Sequence, residues 1–262
     1  MESSLPARAF GHRAGLDVRA RVGDVLSFFR RRRRPRAKVP VLSPRSETVA
    51  VARVELADLT PSQDAFLGRL GYLTLVLFEN LGRAVTAAPT TSAKTKLSGA
   101  AAEVLEAHES VVTEMRRLGI EPVGAMDPFR AELDDFQRRT QGADWHEILV
   151  TCYLTAGFLT DFFEGLAAGL PAGLSERVSL VLDVDKGEEL LVEELRQAIE
   201  ASPRLASRLA MWGRRLVGDT MLIARSSLAI GREAPGEERI EPVFTELIAA
   251  HTRRMDALGL TA

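Results

Sequence analysis

The chain has 262 residues, of which 46% are apolar, 27% charged and 6% aromatic, with a formal net charge of −2 and a single cysteine. One cysteine excludes a disulfide framework and fits a reducing, cytoplasmic setting. Aromatic residues are few while Ala and Leu are many, which favours helices packed on helices, and the length suffices for one large helical domain.

The charge is unevenly spread. Residues 1–40 carry eleven Lys and Arg against Glu2, Asp17 and Asp24, a net of +8 that leaves −10 for the remainder. Arg30, Arg31, Arg32, Arg33, Arg34 and Arg36 form the densest run, directly after Phe28 and Phe29. Such a cluster attracts phosphates by releasing counterions, so RNA, DNA or an anionic membrane surface are its candidate partners. A helix over Asp17 to Arg33 would gather Val18, Val22, Val25, Leu26 and Phe29 near one face, and Pro35 and Pro40 would end it. The plainer alternatives are a disordered, solubilising tail or an arm docked on the acidic body. No stretch has the form of a signal peptide, because the apolar VLSFF segment is short and its arginines follow it. Residues 1–46 therefore read as a basic N-terminal extension, and 47–262 as the folded domain.

The body opens with a weak alternation over Thr48 to Leu56 that suggests an extended strand. Thr60-Pro61-Ser62-Gln63 has the form of a capping box, starting a first helix that runs to Ala87, before Pro89. A second helix runs from Ser92 to Leu118, with Gly119 at its C-terminal cap. Asp127-Pro128 opens a short helix ending near Gln141. Asp144-Trp145-His146-Glu147 is another capping box, starting a third long helix that ends before Pro171. A fourth helix spans Ser175 to Ala201 with a disturbance at Gly187, a fifth runs from Pro203 to about Arg232, and a last from Glu241 to Leu258. The most apolar stretch, Ile148 to Leu159, is bounded by Glu147 and Asp161 and falls short of the ~20 residues that span a bilayer. Four long helices joined by a crossover, with no repeat of fixed period, predict an all-α bundle.

The stretch from Leu118 to Tyr153, LGIEPVGAMDPFRAELDDFQRRTQGADWHEILVTCY, carries more than a generic linker needs. It resembles the same stretch of the actinobacterial ferritin-like proteins, a branch similar to the tRNA-adenosine side-chain hydroxylases. The resemblance implies a ferritin-like four-helix bundle with additional C-terminal helices, able to hold two irons. Such a centre draws a carboxylate from each of two helices and a Glu-x-x-His pair from each of the other two, since residues three apart share a helix face. On that pattern His108 matches a ligand position, while Asp185 and Glu188 stand as Asp-x-x-Glu where a histidine pair is usual. Thr74, Leu105 and Ala156 occupy positions where the family tends to place acids. Glu106 sits ~100° round the helix from Leu105 and Glu79 ~140° round from Thr74, so each could replace its neighbour only through an altered register.

Each candidate has a plain structural alternative. His108 can be an ordinary helix histidine, Glu79 a surface carboxylate paired with Arg83, and Asp185 with Glu188 a solvated acidic turn. Cys152 reads as a buried small hydrophobe, and Met115, Met126, Met211 and Met221 as core fillers. No nucleophile elbow, phosphate loop or Cys-x-x-Cys pair is present. Two functional readings result. In the first, the bundle has a degenerate di-iron site, needs no cofactor and serves as a non-catalytic binding or assembly module. In the second, two iron ions make it an oxygenase similar to the tRNA hydroxylases. Leu205, Leu209, Trp212 and Leu216 are candidates for an apolar face that pairs two copies.

Overall fold

The structure is a computed structural model that describes residues 55–184, 186–228 and 237–261. The arginine run Arg30 to Arg36, Asp185 and most of the expected Thr48–Leu56 strand lie outside the described residues. Among those described there is no strand. Leu56 instead begins a 3-10 turn, Leu56–Leu59.

Among the described residues eight α-helices follow: α1 Gln63–Ala87, α2 Thr91–Arg117, α3 Pro122–Thr140, α4 Trp145–Ala167, α5 Ala172–Leu182, α6 Glu188–Ala201, α7 Pro203–Leu228 and α8 Glu237–Ala257. Helices α1 and α2 form one hairpin, and α4 with the broken α5–α6 forms the other. The hairpins pack through α1 on α4 and through α2 on α5 and α6. Helix α3 crosses α1 to connect them, α7 lies against α4 and α3, and α8 packs on α4 and α7. This is a four-helix bundle with two C-terminal helices added to one side.

Helix α4 is the centre of the described bundle. It touches α1, α5, α6, α7, α8 and the 3-10 turn, so its apolar residues are buried nearly all round. At 23 residues it is also the only described helix long and apolar enough to cross a membrane, but most of that stretch lies inside the fold. The Phe66 ring meets Phe163 edge-on at 5.6 Å, and Phe163 meets Phe162 at 5.5 Å, joining α1 to α4 through an aromatic cluster.

Local signals explain most helix ends. Asp144 accepts from the Glu147 N–H at 3.1 Å, while the Glu147 carboxylate reaches back to the Ala143 N–H at 2.9 Å. Gly119, with φ of 75°, ends α2 in the left-handed conformation, and Ile120 N–H returns to the Met115 carbonyl. Four expectations need correction. Thr60 does not cap α1, whose N-cap is Ser62. Its buried hydroxyl instead donates to Leu166 O at 2.5 Å and ties the 3-10 turn to α4. Helix α3 starts at Pro122, five residues before Asp127-Pro128, because Glu121 accepts from Val123 and Gly124 N–H and a proline at the first position costs nothing. The expected fourth helix is two, since α5 ends at Leu182 and Gly187, at φ 76°, precedes α6. The last helix begins at Glu237 and contains Pro242.

Gly68 sets the α1–α3 spacing: a Cβ there would strike the Ala125 carbonyl, so no other residue lets α3 cross this closely. The proposed pairing face on α7 is not free. Leu209 and Leu216 are fully buried, and Leu205 and Trp212 pack against the same core. Met211 is the reverse case, 66% exposed and no core filler.

Candidate functional site

Where α1 and α2 face each other, two of the positions singled out by the ferritin-like resemblance meet. Thr74 is buried on α1, and its hydroxyl lies 3.0 Å from His108 Nδ1 on α2. The same Nδ1 is 3.0 Å from Gly71 O, to which the Thr74 hydroxyl donates at 2.7 Å. These distances are met together when Nδ1 carries the proton and the hydroxyl points at the carbonyl. Behind Thr74, a void of 20 Å3 between α1, α2, α4 and α5 is lined by apolar residues such as Leu70, Val104 and Leu159, with Lys186 at its edge. It has room for about one water. The Lys186 ammonium donates to Leu182 O at 2.7 Å and Val184 O at 3.1 Å, capping the end of α5.

The other nominated ligands are dispersed. Glu79 is exposed and accepts from Gln137 Nε2 of α3 at 2.8 Å. Arg83 meets the Gln141 side chain instead of Glu79. Glu106 is exposed on the α2 flank that faces α5, and Glu188 is exposed in the first turn of α6. Asp185 is outside the described residues. Leu105 is at the surface, 36% exposed, while Ala156 is buried on α4. Among the described residues no three of His, Cys, Asp and Glu gather closely enough to hold a metal ion. Cys152 is buried, and burial pushes its thiol up to about 12, far from a reactive thiolate.

The sequence did not point to three polar clusters. Glu114, near the end of α2, is gripped by two guanidinium groups. Arg117 donates through Nε at 2.9 Å and Nη2 at 2.6 Å, and Arg177 of α5 through Nε at 3.0 Å and Nη2 at 2.8 Å. Those hydrogen bonds hold the carboxyl down at about 2. The Glu114–Arg117 spacing was visible as an i, i+3 pair, but Arg177 lies 63 residues away and only the fold brings it in. Arg69, 3% exposed on α1, donates to Glu132 of α3, Ser226 Oγ and Ile223 O of α7, and lies 5.4 Å from the Phe129 ring centroid. His251 of α8 is equally buried, with Nε2 3.1 Å from Gly213 O. Burial lowers its pKa, assisted by the Arg254 charge.

An open groove of 890 Å3 separates α2 from α5. Val111 and Val178 lie in its floor, Glu103, Glu106 and Glu109 along its α2 flank, Leu180 on the α5 side, and the Glu114–Arg177 pair at one end.

The architecture is that of an all-α, ferritin-like bundle. The sequence model of the actinomycete ferritin-like domain family matches residues 62–234, and the chain belongs to that family. No curated protein matches it.

Proposed function

We propose that this chain is a ferritin-like bundle whose di-iron site has degenerated and that it acts as a non-catalytic binding or assembly module, needing no cofactor. The observation that carries the reading is the Thr74–His108 bridge. The imidazole nitrogen turned towards α1 is satisfied by a hydroxyl and a backbone carbonyl of this chain, where the resemblance implies a glutamate. The apolar void behind it supports the same reading. A buried set of carboxylates is costly without metal, so a bundle that no longer loads iron gains stability from Thr74 and Ala156 in place of acids. Leu105 is at the surface and that argument does not extend to it.

Within this reading Arg30 to Arg34 and Arg36 are the contact element for a phosphate-bearing partner, RNA before an anionic membrane. Full-length protein should bind RNA, release it as salt rises, and lose it when residues 1–46 are removed.

Metal content decides the main question. Protein expressed in iron-replete medium without a metal-affinity tag should carry no stoichiometric metal by mass spectrometry. Iron at about two per chain would overturn the reading and favour an oxygenase similar to the tRNA hydroxylases.

A further inference from the structure

The groove between α2 and α5 combines an exposed apolar wall, a row of exposed carboxylates and a closed ion-pair cluster at one end. Leu180 is 73% exposed beside it, the largest exposure of any big apolar side chain among the described residues. Val181 and Val184 continue that wall half-buried, and Val111 and Val178 form an apolar floor. Opposite, Glu103, Glu106 and Glu109 follow one another three residues apart along α2, all exposed, and among the described residues none is in an ion pair. At the far end the only buried carboxylate of the groove's lining, Glu114, is already taken by Arg117 and Arg177. The groove thus offers apolar contact at Leu180, Val181 and Val184 and unpaired carboxylates along the opposite flank.

We propose that this groove is the docking surface of the module and takes a basic amphipathic helix from a partner protein. The proposal rests on the binding-module reading and supplies its surface and partner class. From Glu103 to Glu114 the groove runs about 16 Å, three turns of helix, so a guest of about 12–14 residues spans it. Apolar side chains of the guest, three and four apart, cover Leu180 and Val181, and lysines or arginines on its flank reach Glu103, Glu106 and Glu109. Exposed charge pairs contribute little singly, so the apolar contact supplies most of the affinity and the charges set the partner's sign and a salt dependence.

The test uses full-length protein and a fluorescein-labelled helical peptide with leucine on one face and lysine on its flanks. A peptide of the same pattern with glutamate for lysine serves as control. Micromolar binding of the lysine peptide alone is expected, weakened at least tenfold by Leu180→Glu. Joint replacement of Glu103, Glu106 and Glu109 by Gln should weaken it about tenfold and flatten its salt dependence. The same exchange at Glu189, Glu193 and Glu200 of α6, which do not line the groove, should change it less than twofold. Circular dichroism and melting confirm that each variant is folded. Absence of binding, equal loss in the α6 variant, or binding seen only once residues 1–46 are removed, which would make the chain's own basic arm the occupant, overturns the proposal. A dimer by light scattering that Leu180→Glu converts to monomer also overturns it, since a second copy would then fill the groove. Iron content reads the bundle centre and the peptide reads the groove, so either claim can fail without the other.

Discussion

His108 and Thr74 form a direct bridge between α2 and α1, with Nδ1 3.0 Å from the threonine hydroxyl. Thr74→Val removes the hydroxyl while keeping the shape, and should cost about 1 kcal/mol in urea unfolding, the usual net worth of one hydrogen bond. Thr74→Glu introduces the residue type that the resemblance implies but puts a carboxylate against an apolar void, and should cost about 3 kcal/mol at neutral pH. Iron(II) added anaerobically should not recover that loss. Recovery would mean that the ligand set can still be completed.

The Glu114 cluster predicts an acid-sensitive tie between α2 and α5. The carboxyl is held at about 2 in the folded chain, against an ordinary value of 4.5. A depressed carboxylate stabilises above its unfolded value, and that stabilisation is lost as pH falls from about 4.5 towards 2. Glu114→Gln should cost about 2 kcal/mol at pH 7, typical for hydrogen bonds to a charged group, and much less at pH 3. Denaturant melts at the two pH values measure the difference.

His251 acts in a higher range. Its folded pKa is lowered from 6.5, so the unfolded chain takes up a proton first as pH drops, and stability declines below about 6.5. His251→Phe keeps an aromatic ring without a titrating group, though it loses the bond to Gly213 O. Its melting temperature should be lower at pH 7.5 and fall less steeply between pH 6.5 and 5. An unchanged acid limb would assign that sensitivity to other groups.

Arg69 and Glu132 are unequally buried, at 3% and 36% side-chain exposure. Removing the exposed partner should therefore be the worse change. Glu132→Ala leaves a buried guanidinium without its carboxylate, costing about 3 kcal/mol. Arg69→Met should cost less, because the Arg69 Nε and Nη1 already lack partners and the thioether chain retains the packing on Phe129. Equilibrium unfolding of the two variants gives the order directly.

What the sequence determined by itself was the helical plan. Proline and glycine punctuation and the Asp144 cap placed most helix ends, because those signals act within a turn or two of the chain. A resemblance, which the family match supports at the level of the fold, also singled out positions 74 and 108, but that they meet was read only from the structure. Local pattern misled where a second favourable arrangement competed. Thr60 reads as a cap but bonds across to Leu166, and Pro128 reads as a helix start but falls inside a helix already begun by Glu121 and Pro122. Which carboxylates turn inward and which outward was not legible, since that depends on helix rotation about neighbours far off in the chain. The same holds for the grip of Arg177 on Glu114, the burial of Arg69 against α7, the enclosure of Leu209 and Leu216, and the groove beside Leu180. Each joins segments dozens of residues apart, and only the packing of α2, α5 and α7 against the bundle decided it.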